Sequence, residues 1–215
     1  MTEIAKKKTP LHSILRMLEY RELSRMPISG KILDLGGSAH SGYQDLFKEN
    51  AEIDTVNIDP AYGANIIASV EDPFRMQDSS YDHVLAINLI EHIYKVTNVF
   101  SETARVLKKG GKFIIVVPFF HHVHGSPDDY HRYTASCLKR MCGDAGLEVL
   151  EIKELGGGLF STWFQMLGGI IRPLFIKILV MKACHNTDVF LASISKGYDK
   201  MRKNNPLGYF VIAQK

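Results

Sequence analysis

The sequence predicts a doubly wound α/β domain built on a mostly parallel sheet. Short apolar runs alternate with stretches of helical spacing along most of the 215 residues, which is typical of strands and helices in regular alternation. Several runs stop at a residue suited to a ligand site, namely Asp34, Asp59, Ser69, Asn88 and Pro118. The composition, 46% hydrophobic and 23% charged, suits one globular domain with a full core.

The elements follow in order along the chain. Strands are predicted at residues 31–36, 53–59, 65–69, 81–88, 112–118, 147–155 and 207–215. Helices are predicted at residues 11–25, 43–50, 89–107 and 134–146. The helix over 89–107 is expected to end at the sequence KKGG, and Thr134 is expected to cap the helix that follows it.

The chain divides into four segments. An N-terminal helix occupies residues 1–28, a cofactor-binding core residues 29–155, a helical apolar insert residues 156–205, and a last core strand residues 206–215. The insert opens with 17 uncharged residues, 155–171, fewer than the roughly 20 that a spanning helix needs. The role of this insert stays open. It could form a buried hairpin, a lid over a bound substrate, a dimer interface, or a membrane-surface patch with Arg172, Lys177 and Lys182.

Charge and cysteine content narrow the function classes. The formal net charge of +3 is mild, and no basic stripe with interleaved aromatic residues indicates a nucleic-acid partner. The three cysteines lie far apart without metal-ligand spacing, which favours reduced thiols. The first residues carry charge without a following apolar run, so no secretory signal is expected and a cytoplasmic location is favoured.

The stretch KILDLGGSAHSGY, residues 31–43, predicts a cofactor loop. A glycine turn between a strand and a helix allows close approach of a ligand. Asp59, 25 positions after Asp34, is placed to accept hydrogen bonds from ribose hydroxyls. These features fit a dinucleotide or an adenosyl cofactor. The G-x-G-x-x-G spacing for a pyrophosphate is absent, and Asp34 suits an ammonium group better than a phosphate.

Four blocks between residues 31 and 157 resemble class I S-adenosylmethionine-dependent methyltransferases, in particular the methyltransferase type 11 group. They are KILDLGGSAHSG, VNIDP, EDPFRMQDSSYDHVLAINLIEHI and ETARVLKKGGKFIIVVP. The resemblance implies S-adenosyl-L-methionine as cofactor and a seven-stranded sheet with an antiparallel last strand. It implies cofactor contacts from Asp34, Gly36, Gly37, Ser38, Asp59, Pro60, Ser69, Val70, Glu71, Asn88 and Leu89.

The chain departs from the family pattern at the glycine turn. Ser38 and His40 stand where the family prefers glycine, so Gly37 or Gly42 would have to adopt the unusual torsions. Ser69 stands where the family often has an aspartate at the end of its third strand. A degraded glycine motif is also what a non-catalytic cofactor-binding protein would show, and that alternative stays open.

The tract PFFHHVHGSPDDYHRYT, residues 118–134, follows the fifth strand. It resembles a pattern of methyltransferases associated with cell-surface polysaccharide and secondary-metabolite pathways. The candidate bases are His121, His124 and His92. The candidate acceptor-binding residues are Asp129, Tyr130, Arg132 and Trp163. A metal site of His121, His122, His124 and Asp129 is the minor alternative, and no metal is expected. Asp129 and Arg132 could instead pair to hold the loop shut.

The resulting hypothesis is a methyltransferase that acts on a hydroxyl of a sugar, glycan precursor or small metabolite. A neutral histidine would take the proton that such an acceptor loses as it attacks the methyl group. The second hypothesis is transfer to an apolar lipid or quinone at a membrane surface, with the insert as the membrane contact. A small-molecule or glycan acceptor is therefore the expected partner, while peripheral membrane contact and a homodimer stay open.

Overall fold

The core of the protein is a seven-stranded sheet in the order β3-β2-β1-β4-β5-β7-β6. The computed structural model describes residues 13–38, 41–47 and 49–215. The strands are β1 (Gly30–Leu35), β2 (Ala51–Asn57), β3 (Ile66–Ile67), β4 (Tyr81–Ile87), β5 (Leu107–Pro118), β6 (Glu148–Leu155) and β7 (Gly208–Gln214). Six of these strands run in the same direction, and β7 runs antiparallel to its two neighbours, β5 and β6. The predicted doubly wound sheet with an antiparallel last strand is therefore confirmed.

Helices cover both faces of the sheet. They are α1 (Ile14–Leu23), α2 (Val96–Val106), α3 (Ala135–Asp144), α4 (Leu159–Leu167), α5 (Leu174–Ile194) and α6 (Lys196–Asn204). Buried side chains of α2 and α3 pack on one face, and those of α1, α4 and α5 pack on the other. Successive strand residues point to opposite faces, so Leu33 and Leu35 join the first layer while Ile32 joins the second.

Helix α2 shows how the sequence fixes this packing. Val96, Val99, Phe100, Thr103 and Val106 are its buried residues, at spacings of three and four that place them on one helical face. The ring of Phe100 meets that of Phe113 on β5 edge to face, with 5.5 Å between the ring centroids. The helix is thereby held against the central strands, and the turn before it is held at the carboxyl end of β4.

Two predicted helices differ from the structure. The helix predicted over 89–107 is divided into a 3-10 turn, Ile90–His92, and α2. Its KKGG sequence is not a helix cap, because β5 begins at Leu107 and pairs with β4 while Gly110 takes a φ of 81°. In place of the helix predicted over 43–50, the structure has a 3-10 helix over Gly42–Leu46. The helix predicted over 11–25 begins at Ile14 and ends at Leu23, and residues 11 and 12 lie outside the described residues.

The insert contains α4, α5 and α6. Its buried residues Phe164, Met181 and Cys184 pack into the layer that α1 also occupies. In the part of the chain that the structure describes, no helix is both long enough and apolar enough to cross a membrane. Many large apolar side chains of α4, α5 and the connection between them are nevertheless exposed, including Met166, Ile170, Phe175 and Leu179.

A buried carboxylate ties the insert together. Asp188 of α5 accepts hydrogen bonds from the backbone N–H of Phe160 (3.1 Å) and of Ser161 (2.6 Å), in the first turn of α4. It also accepts a hydrogen bond from the Tyr198 hydroxyl on α6. Since the first N–H groups of a helix lack partners within the helix, Asp188 supplies a cap from a different element.

We expect Asp188→Ala to lower the free energy of unfolding by about 1–3 kcal/mol, because it leaves buried N–H groups of α4 without an acceptor. Thermal unfolding followed by circular dichroism should show a midpoint several degrees lower. Asp144→Ala is the matched control, because Asp144 is an exposed aspartate of α3. Equal midpoints for the two variants would contradict the capping role of Asp188.

Candidate functional site

A cavity of about 700 Å³ opens at the carboxyl ends of β1, β2 and β4. The strand order reverses between β1 and β4, and ligands of doubly wound sheets bind at such a point. The volume lies within the range of roughly 300–1,000 Å³ typical of small-molecule sites. The lining residues are Gly36, Ser38, Val56, Asn57, Ile58, Asp59, Tyr62, Ala68, Ser69, Val70, Glu71, Asn88, Leu89, His92, Ile93, Gly125, Ser126, Pro127, Asp128 and Tyr130.

The glycine turn after β1 forms one wall of the cavity. Gly36 takes the left-handed φ of 72°, in place of Gly37 or Gly42. A Cβ on Gly36 would lie 2.7 Å from Leu89 Cδ1, and a Cβ on Gly37 would lie 2.4 Å from Asp34 Oδ2. Both glycines are therefore required by close packing around the turn. His40, the other departure from the family pattern, lies outside the described residues.

The N–H groups of this turn are already used within the protein. Gly36 N–H donates to the Val56 carbonyl (2.8 Å), and Ser38 N–H donates to Ser41 Oγ (3.0 Å). The Asn57 side chain donates to the carbonyls of Gly36 (3.3 Å) and Gly37 (3.2 Å) and holds the turn against β2. Because its N–H groups are engaged, this turn is poorly suited to a pyrophosphate.

Asp34 lies beneath the glycine turn and has no exposed surface. Its carboxyl accepts hydrogen bonds from the Tyr43 hydroxyl (3.0 Å to each oxygen) and from Gln44 Nε2 (2.6 Å). Burial raises the pKa of this carboxyl to about 7, although both hydrogen bonds oppose the rise. The structure thus places Asp34 outside the cavity lining, as a support for the turn.

The opposite wall is formed by the segments after β2 and β3. Asp59 is exposed at the cavity, and its Oδ1 accepts a hydrogen bond from Ala61 N–H (2.8 Å). Ser69 Oγ accepts from Glu71 N–H (3.1 Å). Asn98 of α2 donates to the carbonyls of Val70 and Asp72 and fixes this segment from outside the cavity.

Asn88 forms the cavity floor with its backbone. Its φ of 50° is left-handed, a conformation that asparagine tolerates better than most residues. Its side chain turns away from the cavity and donates from Nδ2 to Glu19 Oε1 on α1 (3.0 Å). Burial raises the pKa of Glu19. The N-terminal helix is thereby connected to the floor of the site.

The segment between β5 and α3 closes the remaining side of the cavity. The Glu91 carbonyl accepts backbone hydrogen bonds from Tyr130 N–H (2.8 Å) and His131 N–H (3.1 Å). The Tyr133 hydroxyl donates to the Ile90 carbonyl (3.1 Å). These bonds bring Gly125, Ser126, Pro127, Asp128 and Tyr130 to the cavity wall.

Within this segment, Asp129 and Arg132 form a bidentate pair. Arg132 donates to the two Asp129 carboxylate oxygens over 2.5 and 2.7 Å, and this pairing holds the pKa of Asp129 below its usual range. Asp129 Oδ2 also accepts from His124 N–H (2.8 Å). Thr134 caps α3 by accepting from Cys137 N–H (3.3 Å). Asp129 and Arg132 are thus engaged in holding the segment rather than lining the cavity.

Three ionisable side chains meet where this segment crosses the turn after β4. The ligand-capable atoms of Glu91, His92 and His124 all lie within 4.8 Å of one another. His92 Nδ1 contacts the Asp128 carbonyl (2.5 Å), and the rings of His92 and His124 meet edge to face with centroids 4.9 Å apart. Glu91 has no exposed surface, and burial raises its pKa to about 8.

The predicted site residues divide into two sets. Those that line the cavity are Gly36, Ser38, Asp59, Ser69, Val70, Glu71, Asn88, Leu89, His92 and Tyr130. Those that lie outside its lining are Asp34, Gly37, Pro60, His121, His124, Asp129, Arg132 and Trp163. No residue of the insert, Trp163 included, is among the described lining residues of this cavity.

Sequence reasoning missed Asn57, Asn98 and Glu91. Asn57 lies two positions before Asp59, and a polar residue near the strand end was the available signal. Asn98 gave no signal, because its contact joins residues 28 positions apart. Glu91 gave none either, because glutamate is seldom fully buried.

Comparison with known proteins gives the chemistry of this fold. Residues 33–115 match the family model described as a methyltransferase domain. That range holds the glycine turn, Asp59, the Ser69–Glu71 segment and Asn88. No curated protein matches the chain.

The match to this family model covers 83 of the 215 residues and indicates an S-adenosylmethionine-dependent methyltransferase. Several solved structures share the fold. The geranyl diphosphate C-methyltransferase of Streptomyces coelicolor is 12% identical with a TM-score of 0.61, over 93% of this chain and 80% of that one. The phosphoethanolamine N-methyltransferase 2 of Haemonchus contortus, bound to S-adenosyl-L-methionine, is 16% identical with a TM-score of 0.58, over 94% and 52%.

The fold by itself does not fix the reaction. The cyclase SpnF is 14% identical to this methyltransferase with a TM-score of 0.61, over 97% of this chain and 85% of that one. At such identities the likeness shows the fold alone, and the acceptor has to be argued from the site.

We expect Asp34→Asn to change how the stability of the methyltransferase depends on pH. The folded-state pKa of Asp34, about 7, lies above its ordinary value, so its contribution to stability is fully present below about pH 4. That contribution is lost as the pH rises through 7. Relative to the wild type, Asp34→Asn should therefore gain on the order of 2–4 kcal/mol between about pH 4 and pH 8.

Urea unfolding at a series of pH values measures this difference. The raised pKa of Glu91 is present in both proteins and cancels in the comparison. Asp144→Asn, at an exposed position, is the control and should parallel the wild type. An Asp34→Asn curve that also parallels the wild type would show that Asp34 is ionised throughout.

Proposed function

We propose that this methyltransferase transfers a methyl group to a hydroxyl of a small polar acceptor, such as a sugar, a glycan precursor or a metabolite. The observation that carries the proposal is the meeting of two imidazoles and a buried carboxyl, from His92, His124 and Glu91, beside the cavity. A hydroxyl must lose its proton as it attacks, and such a group provides a place for that proton. The resemblance of residues 118–134 to polysaccharide-pathway methyltransferases supports the same acceptor class.

The cavity fits the cofactor. S-adenosylmethionine, when bound, supplies an electrophilic methyl group on a sulfonium sulfur. Asp59 is exposed and suited to accept hydrogen bonds from the ribose hydroxyls. Ser69, Val70 and Glu71 would hold the adenine end. The Gly36 and Gly37 carbonyls each accept from Asn57 and keep a second lone pair that could accept from an ammonium group.

The acceptor side is formed by the segment that crosses over the cavity. Tyr130 stacks edge to face on Tyr94, with centroids 5.4 Å apart, and both are exposed. Exposed aromatic rings with hydroxyl groups suit the mixed apolar and polar faces of a sugar. Asp129 and Arg132 act on the acceptor through the shape of the segment, since each already has its partner. Catalysis then rests mainly on positioning, which can contribute roughly 7–11 kcal/mol.

We expect the protein to bind S-adenosylmethionine and to form methyl ethers on hydroxyl acceptors. Asp59→Ala should weaken cofactor binding about 10–100-fold, because it removes a charged acceptor of hydrogen bonds. Calorimetry measures the affinity, and mass spectrometry with a deuterated methyl donor identifies the product. Asp144→Ala is the control of equal charge change.

Three results would separate the alternatives. The absence of binding at millimolar cofactor would contradict the enzyme hypothesis. A product methylated on nitrogen or carbon would contradict the hydroxyl acceptor while leaving the methyltransferase intact. Cofactor binding without transfer to any acceptor offered would favour the alternative of a non-catalytic cofactor-binding protein.

A second candidate function is transfer to an acceptor carried at a membrane surface. The observation that favours it is the outer surface of α5 and of the connection that precedes it, where Ile170, Phe175 and Leu179 are exposed by 79%, 69% and 68%. Monomeric proteins seldom expose so many neighbouring large apolar side chains. Arg172, Lys177 and Lys182 lie in the same stretch and suit an anionic headgroup layer. A lipid-linked glycan precursor or an apolar lipid or quinone would be presented there.

We expect the protein to float with vesicles that contain phosphatidylserine and to bind neutral phosphatidylcholine vesicles less. The double variant Trp163→Ser, Phe175→Ser should reduce binding by at least about tenfold, because each buried aromatic ring contributes roughly 1.5–3 kcal/mol. Leu150→Ser, at a half-exposed position of β6, is the control. A dimer that the double variant disrupts, without flotation of the wild type, would assign this face to a second copy of the chain instead.

A further inference from the structure

The Glu91 side chain lacks a partner that its burial requires. Its exposed fraction is zero, and neither carboxylate oxygen has a hydrogen bond within the described residues. Buried polar groups in folded proteins nearly always have a partner, and an exception indicates a missing water or ion. The neighbouring guanidinium of Arg132 does not fill this place, because both its terminal nitrogens donate to Asp129.

The two histidines beside Glu91 are oriented alike. His92 Nδ1 lies 2.5 Å from the Asp128 carbonyl, and His124 Nδ1 lies 3.2 Å from the His122 carbonyl. A carbonyl only accepts, so each Nδ1 carries the proton and each Nε2 keeps its lone pair. Asp129 Oδ2 also lies 3.4 Å from His124 Nδ1. Metal-binding histidines have this arrangement, in which the outer nitrogen donates to a carbonyl or carboxylate.

We propose that Glu91, His92 and His124 bind a divalent transition-metal ion of the Zn²⁺ or Mn²⁺ type. Two imidazoles and one carboxylate are a common ligand set for such ions and leave positions open for a further oxygen ligand. The site differs from the set of histidines within residues 121–124, because it takes one ligand pair from the turn after β4 and one histidine from the segment that crosses it.

The distances suit the assignment. Ligands at about 2.0–2.2 Å from a tetrahedral ion lie roughly 3.3–3.5 Å from one another. Glu91 Oε1 and His92 Nε2 are 3.6 Å apart, close to that value. The full triad lies within 4.8 Å, so His124 has to approach by about an ångström to complete the site. The His124 side chain is 31% exposed, so the site can be reached from solvent.

One of the three proposed ligands, His92, belongs to the cavity wall, so the ion would lie beside the cavity. A divalent cation beside it would lower the pKa of an acceptor hydroxyl and take the place of a free imidazole as the activating group. This role rests on the proposed function, whereas metal binding itself does not depend on it.

Direct binding measurements on the full chain test the site. After removal of metal with a chelator, we expect a single equivalent of Mn²⁺ to bind, as seen by electron paramagnetic resonance. Zn²⁺ should compete with it in a chromophoric chelator assay. Glu91→Gln and His124→Gln should each weaken binding by at least about 10–100-fold. His122→Gln should retain it, because that exposed side chain is outside the triad while its carbonyl stays in place.

Folding and ligand identity have separate readouts. Circular dichroism and cofactor binding confirm that each variant is folded, and His124→Gln remains informative if Glu91→Gln is unstable. Spectra of bound Mn²⁺ should show coupling to two imidazole nitrogens in the wild type and to one in His124→Gln. Absence of stoichiometric binding, or equal binding in the wild type and both triad variants, would overturn the proposal.

Two further outcomes separate this inference from the proposed function. Methyl transfer to a hydroxyl at full rate by the metal-free protein would overturn the activating role of the ion and leave the proposed function standing. Stoichiometric metal binding that depends on Glu91 and His124, without transfer to a hydroxyl, would support the site and contradict the function. Loss of binding in His122→Gln equal to that in His124→Gln would overturn the ligand set.

Discussion

Two backbone hydrogen bonds to a single oxygen position one wall of the cavity. The Glu91 carbonyl accepts from the N–H groups of Tyr130 and His131, and these bonds hold the segment between β5 and α3 across the end of β4. The Tyr133 hydroxyl, which donates to the Ile90 carbonyl, and the contact of His92 Nδ1 with the Asp128 carbonyl hold the same segment. Together these bonds bring His124 beside Glu91 and His92.

Burial of carboxyl groups is the second constraint. Asp34, Glu19 and Glu91 all lie close to the cavity and all have raised pKa values, chiefly because burial disfavours the charged form. Their surroundings differ. Asp34 accepts hydrogen bonds from two donors, Tyr43 and Gln44, and supports the glycine turn, and Glu19 accepts one from Asn88. Glu91 accepts none at its carboxyl within the described residues, so it is the one whose environment favours an added ligand.

The parts of the fold that depend on local pattern were predictable from the sequence. Seven apolar runs matched seven strands. Asp59 and Asn88 follow the carboxyl ends of parallel strands, and these ends meet at the cavity. The division of residues 89–107 was not predictable, since the turn at Ile90–His92 is held by contacts with residues 130–133. The sequence also could not show that Asp34 faces inward, because Tyr43 and Gln44 reach it only in the folded turn.

Helix α1 has a consequence for how this protein can be shortened or recombined. A stretch before the first strand is easily regarded as a dispensable leader. Here it contributes Glu19, which accepts a hydrogen bond from the side chain of Asn88. The backbone of Asn88 has the left-handed conformation described above. A chimera that joins the sheet to a foreign N-terminal segment would therefore keep the strands but lose the hydrogen bond that supports Asn88 at the cavity. The module boundary of this methyltransferase lies before α1 rather than at β1.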